Sequence, residues 1–396
     1  MPFLTPQRLI MLIFFLQPVA FGSWLPRIPE VQAGLGLGPA ALALALLGMP
    51  LGTLITLPFA GPLVGRIGAR TTIIVGFVYY ALAVSLPAFA PDPIMLFIAL
   101  MLAGSTISFL ELGLNVGADE IEKSGGVLIM TKSHGFWSVG IMVGSLIGSG
   151  MAGLGIEAKW AILGAALITM PMGMAAGRAL PQMASDAPAA TGKPRSSWSL
   201  PSPALIGVCL FVFGITMTEG AMADWSAIFL RDALAAEGGL VGLGYSIFAF
   251  MVAAGRFGGD ALKARLGGIA TARLCGAMAV AGAILLYFAP SVTIALIGFG
   301  TIGFGVSVGF PLAVTAAAGI GDRAASANVA VLSFVALTGF LIGPPMIGFV
   351  AEHSDIRFGI ACVVPFLLLS LLLAGHLRPR PAPARAEIEA ESPGVA

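Results

Sequence analysis

The chain has 396 residues, 58% of them apolar and only 10% charged, with a net charge of +1. Soluble domains carry about 25% charged residues, so a water-facing globule of this size is excluded. The balanced charge leaves no nucleic-acid footprint.

Apolar windows bounded by Pro, Gly or charge predict twelve spans, at roughly 9–26, 39–64, 72–90, 94–118, 127–154, 160–180, 204–230, 240–261, 270–289, 291–318, 326–350 and 356–377. Each is long enough to cross about 30 Å of hydrocarbon as a helix. The strict alternation of a barrel strand is absent. The expected fold class is therefore all-α: a membrane protein of twelve transmembrane helices. The first span follows Arg8, but Gln17-Pro18 interrupts it and no small-residue cleavage site follows. It reads as a permanent helix, not a signal peptide. Fifteen of the twenty Lys and Arg fall on the side of the N-terminus, four (Arg27, Lys159, Arg231, Arg357) on the other, and Lys132 within a span. That bias puts both termini in the cytoplasm, and we expect a multi-pass protein of a bacterial inner membrane.

Residues 181–203 are polar and rich in Pro, Ser and Ala; the tail 379–396 is Pro/Ala-rich and then acidic. The first reads as a cytoplasmic linker and the second as a disordered cytoplasmic tail. Around the linker the chain repeats. At an offset of 201, Ala20 and Ser23-Trp24 fall on Ala221 and Asp224-Trp225. At 199, Gly140 and Gly144 fall on Gly339 and Gly343, and Arg66-Ile67-Gly68 on Arg265-Leu266-Gly267. Three matches near one offset predict two pseudo-symmetric six-helix bundles, 1–180 and 204–378. Transporters often carry such duplications, with the substrate site between the halves.

Ionisable residues inside spans are functional candidates. In span 4, Gly104, Ser108, Glu111 and Asn115 step along one helix face. Glu111 lies about 12 Å deep, so its carboxylate needs a partner, a water-filled cavity or a proton. Span 5 brings Lys132 at similar depth, expected to neutralise Glu111 in at least one transport state, and His134. Span 7 brings Glu219 near the midplane and Asp224 closer to the outer mouth. Their separation of five turns them about 140° apart, so they are not expected to share one face. Trp24, Trp137 and Trp225 are candidates for stacking on a substrate ring. Arg66, Arg70, Arg256, Asp260 and Arg265 are candidates for a cytoplasmic gate, with Arg256 and Asp260 spaced i,i+4. The glycines of spans 5 and 11 read as close helix packing. No metal site is expected, because no second His or Cys stands at ligand spacing. Cys209, Cys275 and Cys362 sit singly in apolar runs.

The 6+6 span count, the long middle loop and the loop Gly61-Pro62-Leu63-Val64-Gly65-Arg66-Ile67-Gly68-Ala69-Arg70 together resemble the major facilitator superfamily. Gly65 stands where that family usually has Asp; the second copy keeps Asp260. Glu111-Leu112-Gly113-Leu114-Asn115 resembles the E-x-x-x-N of fucose-permease-like sugar/proton symporters, and Ser133 to Gly140 is similar to the same branch. The resemblance implies that Glu111 belongs to a sugar site and takes part in proton coupling. The acid that the fucose permease carries in span 1 has no counterpart here.

These readings converge on a secondary active transporter of a small polar, sugar-like solute, proton-coupled, working by alternating access. The alternative is a proton-coupled exporter of drugs or metabolites. The expected partners are the solute, protons and the bilayer. No cofactor is expected, and no P-loop supports ATP hydrolysis. Enzymatic activity is not expected either: Ser133 and His134, as adjacent helical residues, point about 100° apart.

Overall fold

The computed structural model describes residues 5–182, 201–322 and 324–378. Among them are twelve helices long and apolar enough to cross a membrane, and no strand. They are α1 (Pro6–Gly34), α2 (Pro39–Ile67), α3 (Ala69–Phe89), α4 (Pro93–Gly125), α5 (Lys132–Gly153), α6 (Ala158–Ala179), α7 (Pro203–Leu234), α8 (Gly238–Leu266), α9 (Gly268–Tyr287), α10 (Val292–Ala318), α11 (Ala327–His353) and α12 (Ile356–Leu377). Of the expected linker 181–203, residues 183–200 lie outside the described residues, as does the whole expected tail 379–396.

Local chemistry sets the helix starts. The side chains of Thr5, Asp92 and Ser202 each accept from the backbone N–H three residues on, and Pro follows as the first helical residue in all three. Such caps occupy orphan N–H groups, and proline's fixed φ suits that position. The repeated loops confirm the 199-residue offset in backbone detail. Gly68 and Gly267 have φ of 79° and 82°, and Thr72 and Thr271 donate back to their carbonyls at 2.9 and 2.8 Å. At such φ values glycine escapes the Cβ clash.

Packing is also repeated. A Cβ on Gly140 or Gly144 would lie 2.1 Å from the carbonyl oxygen of Phe15 or Val19, so α5 presses directly on the α1 backbone. Gly339 and Gly343 press on Thr216 and Met217 in the same way, joining α11 to α7. Small residues permit this approach. In α1 and α7, 78% of the most apolar window is buried, against 33% in α2, α11 and α12. The first pair is enclosed on most sides, whereas α2, α11 and α12 leave much of their surface exposed, although α2 and α11 also contribute to a central cavity between the halves. Phe59, Ile94 and Leu372, all within the spans, stand more than two-thirds exposed on the outside, a surface suited to lipid and not to water.

The two halves are fused at one end. The larger hydrophobic core runs from the second half into Trp24, Leu25, Ile28, Leu42 and Leu46 of the first. At this end, remote from both termini, Arg231 donates to the Pro29 carbonyl at 2.9 Å and to Gln32 Oε1 at 2.7 Å. Glu352 accepts from the Ala40 N–H at 3.1 Å. Deeper in the seam, the hydroxyls of Ser145 and Ser246 meet at 2.8 Å. The end remote from the termini is closed.

Candidate functional site

A cavity of about 230 Å³ lies between the halves. The first half gives it an aromatic wall, Phe21, Trp24 and Trp137. The second gives its charged groups, Glu219 and Asp224 from α7 and Arg256 from α8, together with the neutral Tyr245 of α8. Trp137 donates through Nε1 to Gln17 Oε1 at 2.8 Å, which fixes its ring. Arg256 stands 3.7 Å from Glu219 and donates to Ser138 Oγ at 2.8 Å. One guanidinium thus joins a carboxylate of its own half to a hydroxyl of the other.

Arg256 also lines a second cavity of about 460 Å³ on the side of the termini, with His134, Asp260 and Lys263. It forms the partition between the two spaces. Arg256 does not pair with Asp260; it turns inward, where a half-buried carboxylate and a hydroxyl are available, while Asp260 is exposed one turn away. Arg66 and Arg265 are exposed, and Arg70 donates to the Arg178 carbonyl at 2.6 Å within its own half. Among the described residues these arginines make no bond between the halves.

Glu219 and Asp224 do share the cavity, against the 140° expectation. Gly220 and Ala223 also line it. Their small side chains let the space wrap around α7, so two heights on the helix open into one volume. Trp24 and Trp137 line the cavity as expected of stacking candidates. Trp225 does not: it is 0% exposed and is packed in the core beside Gly348. Its faces are already covered.

The span 4 stripe stands to one side. Gly104 packs on the Met49 backbone. Asn115 Oδ1 meets His134 Nε2 at 3.2 Å, and the edge of that ring meets Phe14. Glu111 is half-buried and is not part of the central cavity lining, yet the charge of Arg256 bears on it as it does on Glu219. Lys132 is exposed and makes no ion pair with Glu111 among the described residues. The cation facing the acids is Arg256. Among the described residues the buried Ser133 hydroxyl makes no hydrogen bond to His134, whose imidazole meets Asn115.

The sequence pattern placed Arg256 at the gate but not in the cavity that it also lines, and it did not single out Tyr245, Ser138 or the phenylalanines Phe21, Phe248 and Phe340. Depth was the available signal for the first. Arg256 stands eleven residues before the Gly267 cap, about 16 Å into the helix at 1.5 Å per residue.

Residues 10–337 match the Major Facilitator Superfamily. An uncharacterized MFS-type transporter of Yersinia pestis is 30% identical over 376 residues, 93% of this chain and 94% of that protein. The nucleoside transporter NupG overlays with a TM-score of 0.69 at 15% identity, covering 94% of this chain and 98% of that one. FucP, in its outward conformation, overlays with a TM-score of 0.63 at 17% identity, covering 94% and 99%. At these identities the overlays speak for fold alone and do not single out the fucose-permease branch. The family match, the relative and the twelve-helix fold agree: the chain belongs to the major facilitator superfamily of membrane transporters.

Proposed function

We propose that this protein moves a small polar solute across a bacterial inner membrane, coupled to protons, by alternating access between halves 1–180 and 204–378. The observation that carries the reading is the Glu219–Arg256–Ser138 chain. It sits in the wall of a central cavity and ties an ionisable pair to the contact between halves. With both termini cytoplasmic, the closed end is the outer one, and this arrangement is an inward state.

Coupling follows from competition for one cation. Arg256 attracts Glu219 at 3.7 Å, and its charge bears also on Glu111. A proton on Glu219 removes the ion-pair attraction and frees the guanidinium to move. Because Arg256 is both the cavity's partition and a bond across the seam, that movement changes which end is sealed. Glu111 and Asn115 supply the second station for the charge, and His134 holds Asn115 in place.

The test is uptake by the purified protein in proteoliposomes under an imposed pH gradient, screened over sugars, polyols, amines and organic acids. Accumulation that collapses with a protonophore supports the reading; solute movement indifferent to the gradient overturns the coupling. The exporter alternative draws support from the aromatic wall, Trp24 and Trp137 above all. It requires accumulation in inverted vesicles driven by an acidic interior.

A further inference from the structure

The charge of the central cavity does not balance. Its carboxylates are Glu219 and Asp224, and among the described residues its one cationic lining residue is Arg256. Arg256 is taken by Glu219 at 3.7 Å. Asp224, half-buried, has no hydrogen-bond or ion-pair partner among the described residues. It stands five residues along α7 from Glu219, about 7.5 Å farther toward the closed end.

The surroundings of Asp224 narrow what can meet it. The cavity wall is aromatic, with Phe21, Trp24, Trp137, Tyr245, Phe248 and Phe340. Aromatic faces attract cations electrostatically and offer nothing comparable to an anion. A carboxylate among such walls is costly to keep charged without a counter-ion. A neutral polyol can hydrogen-bond to Asp224 but leaves its charge unmatched. An anionic solute would need Arg256, which is already paired.

Resting on the transport reading above, we propose that the solute carries a cationic amine. The ammonium group docks on the Asp224 carboxylate against the aromatic wall. The solute's remaining polar groups extend about 7.5 Å along α7 toward the Glu219–Arg256 pair. Asp224 recognises charge at one end of the solute, and the ion pair senses occupancy at the other. The proton site and the solute site are then separate carboxylates in one volume.

The test uses matched probes on the full-length protein in detergent: glucosamine against glucose, and 2-phenylethylamine against 2-phenylethanol, titrated by calorimetry. At least one amine is expected to bind about tenfold or more tightly than its neutral partner. Asp224→Asn, which keeps the shape, should bring that ratio to within about twofold, and Asp224→Glu should retain part of it. Neutral members binding as well as the amines, no binding of either amine, or an unchanged ratio in Asp224→Asn would each overturn the proposal. Should Asp224→Asn fail to fold, the wild-type ratio and Asp224→Glu still decide it. Counterflow in proteoliposomes separates the two readings. An amine that binds through Asp224 and is not moved removes transport but leaves the site. A neutral polyol that is moved, with no amine preferred, removes the site but leaves transport.

Discussion

The Glu219–Arg256 pair can be tested by a double-substitution cycle of Glu219→Gln and Arg256→Gln. At 3.7 Å and an effective dielectric of about 20, the Coulomb attraction is about 4.5 kcal/mol. Desolvation offsets part of this. The side chains keep 21% and 16% exposure, so water screens a further part, and a coupling of about 1.5–3 kcal/mol remains. Each single change leaves the other member of the pair without its partner, whereas the double change removes both members together. Thermal unfolding of the four proteins in one detergent, followed by Trp fluorescence, should therefore be non-additive. The double variant should melt higher than the sum of the two single shifts predicts. Simple additivity would refute a direct interaction, because independent sites add within about 0.5 kcal/mol. In proteoliposomes, Glu219→Gln should lose gradient-driven accumulation and keep downhill exchange, since Gln preserves shape and hydrogen bonding. A variant that still concentrates solute as wild type does would remove Glu219 from coupling.

Four further outcomes are expected. A periplasm-dependent reporter fused after Pro203 should be inactive, because the charge bias puts the middle linker in the cytoplasm. Gly144→Val should abolish accumulation of folded protein, since its Cβ would sit 2.1 Å from the Val19 carbonyl oxygen, which α1 cannot withdraw; normal yield and melting would contradict the close packing. Arg231→Ala removes two bonds across the closed end, worth about 1.5–3 kcal/mol each as charged hydrogen bonds, so a cysteine placed at Ser149, which is buried in the same seam against Gly239 and Gly242, should label more than about tenfold faster with an impermeant maleimide. Lys132→Ala should leave transport within about twofold of wild type, as its side chain is exposed, whereas Glu111→Gln should depress accumulation.

Most of the architecture could be read from the chain because membrane helices are dictated locally. Backbone groups in lipid must bond within the segment, so hydropathy alone gives twelve spans, and the glycines at 140, 144, 339 and 343 mark where backbones touch. The cavity was less legible. A period of 100° per residue separates Glu219 from Asp224 by angle, but whether both meet one volume depends on Gly220 and Ala223 leaving space around the helix. Trp225 fails as a stacking residue because burial is decided by α11, through Gly348, and not by α7. Lys132 and Glu111 match in depth, but depth does not fix the azimuth of a long flexible side chain.

The repeat also explains why the site is lopsided. At the offset of 201, Glu219 and Asp224 fall on Pro18 and Ser23, and at 199, Arg256 falls on Leu57. The backbone turns at Gly68 and Gly267 have stayed the same to within a few degrees, while the chemistry of the two halves has diverged completely at these positions. Pro18 sits within the helix, where it has no N–H to give to the ladder, and Ser23 turns its hydroxyl back to the Ala20 carbonyl at 2.7 Å. Within the central cavity the charged groups therefore all come from the second half, both halves supply aromatic rings, and Ser138 of the first half meets Arg256 through its hydroxyl. A charged pair shared evenly between halves would have to be desolvated and broken at every stroke. On the transport reading proposed above, placing Glu219 and Arg256 together on α7 and α8 lets protonation open the pair without first separating the halves. The charge-assisted Arg256–Ser138 hydrogen bond is then left as the contact between halves that must be remade.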